Sequence, residues 1–178
     1  MCTNALNDGS KLENLDIAIE ERTDRMSAES KRPNLDDIEE ALSLATSVQY
    51  GDLDVETICD KYREEGYEVT SHLHDFLEQY REITISWLYR GRSETELEIS
   101  IEGALNEHPL RIAYYSKIAG KELLPVGMAF GDTTVLLSDD SDIFFGDVAG
   151  VQRVSHGFLP SMTALIADDW DKAYLIEG

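Results

Sequence analysis

The apolar residues of this chain recur every three to four positions as far as about residue 81, and every second position directly after it. Leu73, Phe76, Leu77 and Tyr80 share one helical face, whereas Ile83, Ile85 and Trp87 alternate with Thr84, Ser86 and Leu88 as on a strand. Carried along the chain, this change of period gives the order helices, strands, one helix, strands, helix. A doubly wound parallel sheet needs strands and helices in strict alternation, so the pattern predicts an α+β fold instead.

Local signals set the predicted boundaries. Asn34 is a good N-cap, and Asp36 and Asp37 follow where a helix start favours negative charge. Leu35, Ile38, Leu42 and Ala45 continue that helix to about Ser47. Asp54 caps a second helix with Val55, Ile58, Cys59 and Tyr62 on one face, stopped at Gly66. Thr70 or Ser71 caps a third. A strand carrying Leu97, Ile99 and Ile101 presents Glu96, Glu98 and Ser100 to water, and YRGRSE before it suits a hairpin. A helix over 107–118 tolerates Pro109 in its first turn, and Ile112, Ala113, Tyr115 and Ile118 follow. The runs LLPVGMAF, TTVLLS, IFFGD and VQRVS read as short strands separated by turn residues, with Pro125 marking an edge or a bulge. A helix over 158–168 closes the series.

Residues 1–33 differ from the rest. Seven acids and five bases are mixed there around a thin apolar stripe of Leu12, Leu15 and Ile19. Such a helix is marginal without something to pack on. We expect a helical or partly disordered arm ending at Pro33, followed by a domain over 34–178. A chain of 178 residues buries roughly 70% of its unfolded surface, so no disulfide or metal staple is needed. Only Cys2 and Cys59 are present, which suits a reducing cytoplasm. No run of apolar residues is long enough for a membrane span.

Charge sets the class of partner. There are 36 Asp and Glu against 15 Lys and Arg, net -21. That balance repels nucleic acid and attracts basic surfaces. Thirteen acids and two bases lie between Asp36 and Glu78, and nine acids and two bases between Asp132 and Gly178. Solubility alone needs a net charge of only about -2 to -8, so the excess points to a basic partner.

Signals for chemistry are weak. His72 and His74 sit two positions apart on a predicted helix and point about 200° apart, so they do not share a metal. The run from Ser138 to Asp142 lacks the central glycine and closing glutamate of a calcium loop and reads as a solvated turn. Phosphate-loop and nucleophile-elbow patterns are missing. Neither an enzyme, a metal nor a cofactor is expected.

The stretch YREEGYEVTSHLHDFLEQYREITISW resembles a segment of the SUKH superfamily, in its third, immunity-protein subgroup. The matching positions are Gly66, Tyr67, Val69, Phe76, Leu77 and Ile83. Downstream, Leu123, Pro125, Val126 and Gly127 are similar to the subgroup's L-x-P-[IV]-G, with Leu136, Asp140 and Phe144 following, and FLPSMTALI resembles its last helix. Where the subgroup carries a Gly-Arg-Val-Tyr-like turn, this chain has Ser141-Asp142-Ile143-Phe144. The resemblance implies a single domain of mostly antiparallel sheet flanked by helices. It also implies an immunity protein that binds and neutralises a cognate toxin, here a basic one of nuclease type. The rival reading is a regulatory scaffold of the same superfamily with several protein partners. Under the immunity reading, Asp139, Asp140, Asp142, Phe144 and Asp147 are expected to face the toxin, Phe144 as an apolar anchor within a charged rim. Asp36, Asp37, Glu39, Glu40, Glu64 and Glu65 form a second candidate acidic surface.

Overall fold

A computed structural model of the chain describes Ile38 and residues 42–175. Eight strands form one sheet in chain order, each antiparallel to its neighbours: β1 (Ser47–Tyr50), β2 (Ile83–Tyr89), β3 (Ser93–Ile99), β4 (Leu123–Ala129), β5 (Thr133–Ser138), β6 (Asp142–Asp147), β7 (Gly150–His156) and β8 (Tyr174–Leu175). The helices α1 (Val55–Glu64) and α2 (Ser71–Tyr80) join β1 to β2. The single turn α3 (Ile101–Ala104) and α4 (Pro109–Ala119) join β3 to β4, and α5 (Phe158–Ile166) joins β7 to β8. The class is α+β, as the change of period requires.

Caps fall where side-chain chemistry puts them. The Asp54 carboxylate accepts from the Glu56 N–H at 3.0 Å, and Thr70 Oγ1 accepts from the Leu73 N–H at 3.1 Å. Pro109 occupies the start of α4, and Gly120 ends it in the left-handed region at φ +66. The inward faces are those the spacing predicts: Ile58, Cys59 and Tyr62 on α1, Leu73, Phe76 and Leu77 on α2.

Both faces of the middle of the sheet are covered. Val135, Leu137, Ile143 and Phe145 join the large core with α1, α2 and α5, whereas Leu136, Phe144 and Val151 meet Ile112 and Tyr115 of α4 on the other side. Strands buried on both faces lose the apolar-polar alternation. That is why TTVLLS and IFFGD read as continuous apolar runs.

Two local expectations need correction. The helix expected to run to about Ser47 gives way to a turn at 42–44, and β1 begins at Ser47. Ile101 is no strand residue: Ser100 Oγ accepts from the Gly103 N–H at 3.0 Å, which turns the chain into α3. Of the edge or bulge expected at Pro125, the structure shows the bulge, at a register shift between Pro125 and Gly127 inside the sheet. The expected arm over 1–33 and the start of the domain at Asn34 lie outside the described residues.

Candidate functional site

The acidic turn between β5 and β6 is closed by the Ser141 N–H, which donates to the Ser138 carbonyl at 3.1 Å, with Ser141 at φ +68. Asp142, the first residue of β6, is only 3% exposed. Arg153 grips its carboxylate with two bonds, Nε to Oδ2 at 2.9 Å and Nη2 to Oδ1 at 2.8 Å. Lys121 Nζ donates to the same group at 2.6 Å and to Asp140 Oδ2 at 2.7 Å, and His156 Nδ1 stands 3.2 Å away. The Ser138 hydroxyl completes the knot by donating to Asp140 Oδ1 at 2.6 Å. A bulge between Ile143 and Phe144 sets Arg153 opposite Phe144, two positions along from Asp142 and on its face.

The guanidinium of Arg153, with the Lys121 ammonium, holds the Asp142 carboxyl well below the usual carboxylate range against the opposing effect of burial. Because the folded value lies below the unfolded one, this stabilisation is complete above about pH 5 and drains as pH falls below ~4. Asp142→Asn is expected to lower stability at pH 7 by about 2 kcal/mol, the scale of hydrogen bonds to charged groups. Urea titrations at pH 7, 4 and 2.5 should show the gap between variant and parent narrowing with acid. A gap of constant size would mean the carboxylate is not the titrating group.

The other expected residues divide. Phe144 is 1% exposed, so it is no open anchor. α4 covers it with Ile112 and Tyr115, and the Tyr115 ring takes the space where a Gly146 side chain would start, 2.5 Å from that position. Asp147 closes the β6–β7 hairpin: its Oδ1 accepts from the Ala149 N–H at 2.7 Å and the Gly150 N–H at 3.2 Å, and its Oδ2 from the Tyr174 hydroxyl at 2.7 Å. Asp139 is exposed and lines a small hollow with Thr70, His72 and Glu122. Glu64 and Glu65 are exposed at the end of α1, while Asp36, Asp37, Glu39 and Glu40 lie outside the described residues. The turn thus keeps Asp139 open to solvent and ties Asp140 and Asp142 to the chain's own cations.

The two histidines serve different neighbours. His74 Nε2 lies 3.1 Å from Glu56 Oε1, and His72 Nε2 lies 3.4 Å from Ser141 Oγ. His74, Asp75 and Glu78 bring donor atoms within 4.8 Å of one another, which the pairing of His72 with His74 in the sequence did not suggest.

An aromatic cleft of about 230 Å³ was not expected from the sequence. Tyr89, Phe130, Phe145 and Trp170 line it, with Asp147 and Lys172 at its rim. Its residues come from β2, the β4–β5 turn, β6 and the segment after α5, so no local spacing announces it.

Comparison with known proteins settles the family: the SUKH-3 immunity protein family matches residues 32–168. The chain belongs to the SUKH-3 immunity protein family. No curated protein and no solved structure matches it. In this SUKH-3 chain the matched span holds the whole acidic turn, α1 to α5 and Gly127, while Trp170 and Lys172 of the cleft fall beyond it. No helix among the described residues is long and apolar enough to cross a membrane.

Proposed function

We propose that this chain is an immunity protein that binds a basic, nuclease-type toxin through an acidic surface and neutralises it in the cytoplasm of the toxin-producing cell. Membership of the SUKH-3 immunity family carries the reading, because the partner of an immunity protein is a toxin. The net charge of -21 supports a basic partner. A nuclease must be basic to hold phosphate, and an acidic inhibitor gains steering and complementarity at the same groove. The role is one of binding and assigns no catalytic residue. Asp139, with Glu122 beside it, and the pair Glu64 and Glu65 are the carboxylates through which contact is expected; Asp140, exposed but paired with Lys121, and the buried Asp142 shape the turn.

The test is co-expression with the toxin encoded next to this chain's gene, read as cell survival and as a co-purified complex. Survival without the chain, or no complex with it, would overturn the reading. A second measurement follows association rate against salt. Exposed charges are screened beyond ~8 Å at 0.15 M, so association is expected to slow markedly between low and physiological ionic strength. Neutralising Asp139 with Glu122, or Glu64 with Glu65, to the amides should leave stability within about 0.5 kcal/mol and flatten that slope. Slopes unchanged in both pairs would remove these acids from the contact surface.

A further inference from the structure

Asp147 differs from the carboxylates of the acidic turn in its partners. Its donors are two backbone N–H groups and the Tyr174 hydroxyl, all neutral, and no cation among the described residues pairs with it. Asp142, Asp140 and Asp168 are each neutralised by Lys or Arg. An ionised carboxylate has about four acceptor positions, so Asp147 keeps acceptor capacity on Oδ2 and has no ion-pair partner among the described residues.

The rest of the cleft is aromatic. Phe130 meets Phe145 at 5.7 Å between ring centres, and Phe145 meets Trp170 at 5.5 Å, both edge to face. Cations already gather here. Lys172 Nζ stands 5.9 Å from the Trp170 ring and 6.0 Å from that of Tyr89, and the Arg90 guanidinium lies 5.1 Å over Tyr89. Asp168 holds both bases in place. A chain with so few bases sets one of them, Lys172, in this cleft and another, Arg90, over its Tyr89 ring, which marks the rings as a surface where a positive charge is at ease.

We propose that this cleft is the anchor subsite for the protein partner, and that it receives an arginine side chain whose guanidinium stacks on the rings and donates to Asp147. The proposal rests on the reading of a basic protein partner. The volume of about 230 Å³ lies below the roughly 300–1,000 Å³ of small-molecule sites and suits one long side chain. Arginine fits better than lysine, since a planar guanidinium can stack and bond a carboxylate at once. Val148, 94% exposed, and Tyr174, 41% exposed, stand beside the Asp147 end as apolar shoulders. An apolar surround that excludes water from a charged contact is the pattern of an interface hot spot.

Amide and indole N–H signals followed by NMR while N-acetyl-arginine amide is added provide the test, with N-acetyl-citrulline amide as the uncharged match. The expected result is saturable shifts at Trp170, Tyr89 and Asp147, with the arginine probe at least ~10-fold tighter than the citrulline probe, a gap of about 1.4 kcal/mol. Trp170→Leu and Asp147→Asn should each weaken the arginine probe several-fold. Lys172→Met should strengthen it, because a competing cation is removed; a merely structural lysine would not behave so. Equal shifts with both probes, shifts spread over the acidic helices without saturation, or indifference to Trp170→Leu and Asp147→Asn would overturn the proposal. Full toxin affinity in Trp170→Leu would overturn it while leaving the immunity reading intact. Failure of the parent chain to bind the toxin at all would be failure of that reading instead.

Discussion

Gly127→Ala is expected to abolish the native sheet or to cost more than ~3 kcal/mol, beyond the usual range for overpacking. A Cβ at this position would lie 1.9 Å from the Glu98 carbonyl oxygen and 2.9 Å from the Glu98 carbonyl carbon and the Ile99 Cα. All three are backbone atoms of β3 and the chain cannot swing them aside as it would a flexible side chain. The strand pair affected is also a narrow one: β3 and β4 register only at Leu97 with Ala129 and Glu98 with Met128. Pushing β4 away therefore separates the β1–β3 part of the sheet from the strands that carry the acidic turn. The bulge beside this glycine is held from above by the Tyr62 hydroxyl, which donates to the Pro125 carbonyl at 2.6 Å. Gly131→Ala is the control. That glycine has φ +87 with nothing within 4 Å of its missing Cβ, so only backbone strain of about 1 kcal/mol is expected. Urea unfolding of the two variants side by side decides the matter, and equal losses would mean that close approach to β3 is not what Gly127 provides.

Trp87→Ala is the second large effect, a loss of about 3–5 kcal/mol for a fully buried aromatic. Trp87 is 0% exposed in β2 and meets Phe130, one of the cleft's rings, edge to face at 5.7 Å. Its indole N–H has no hydrogen-bond partner among the described residues. A buried donor left unmade is itself a cost, and Trp87→Phe removes that donor while keeping a ring. We therefore expect Trp87→Phe to lose less than ~1.5 kcal/mol. Chemical unfolding of both variants gives the comparison. Native stability in Trp87→Ala would show that the inward face of β2 is wrongly assigned.

Much of the fold is legible because it follows from backbone periodicity and from chemistry within a few residues. The caps at Asp54 and Thr70, the start of α4 at Pro109, and the inward rows of α1, α2 and β2 each need only neighbours three or four positions away. β1 escapes for the same reason. It is four residues long, with Val48 alone buried, too short to show a period.

The candidate site was legible in composition and opaque in arrangement. Three carboxylates within four residues of the acidic turn can be read directly, and so can two adjacent phenylalanines that must face opposite sides of a strand. What neutralises Asp142 cannot, because Arg153 and Lys121 stand 11 and 21 positions away and reach it only through a hairpin, a bulge and the end of α4. The covering of Phe144 by α4 has the same cause, since β6 alone does not say whether its second face meets water, a partner or its own chain.

The sequence by itself determined the α+β class, the order of the longer helices and strands, the caps at Asp54 and Thr70, and the strong acidity, because spacing and charge are properties of the chain before it folds. Only the tertiary structure decided which acids remain open and which are tied down, that Phe144 is internal, and that Tyr89, Phe130, Phe145 and Trp170 meet in one cleft. Those are contacts between segments far apart in the chain, and they exist only once the sheet has paired and its helices have packed against it.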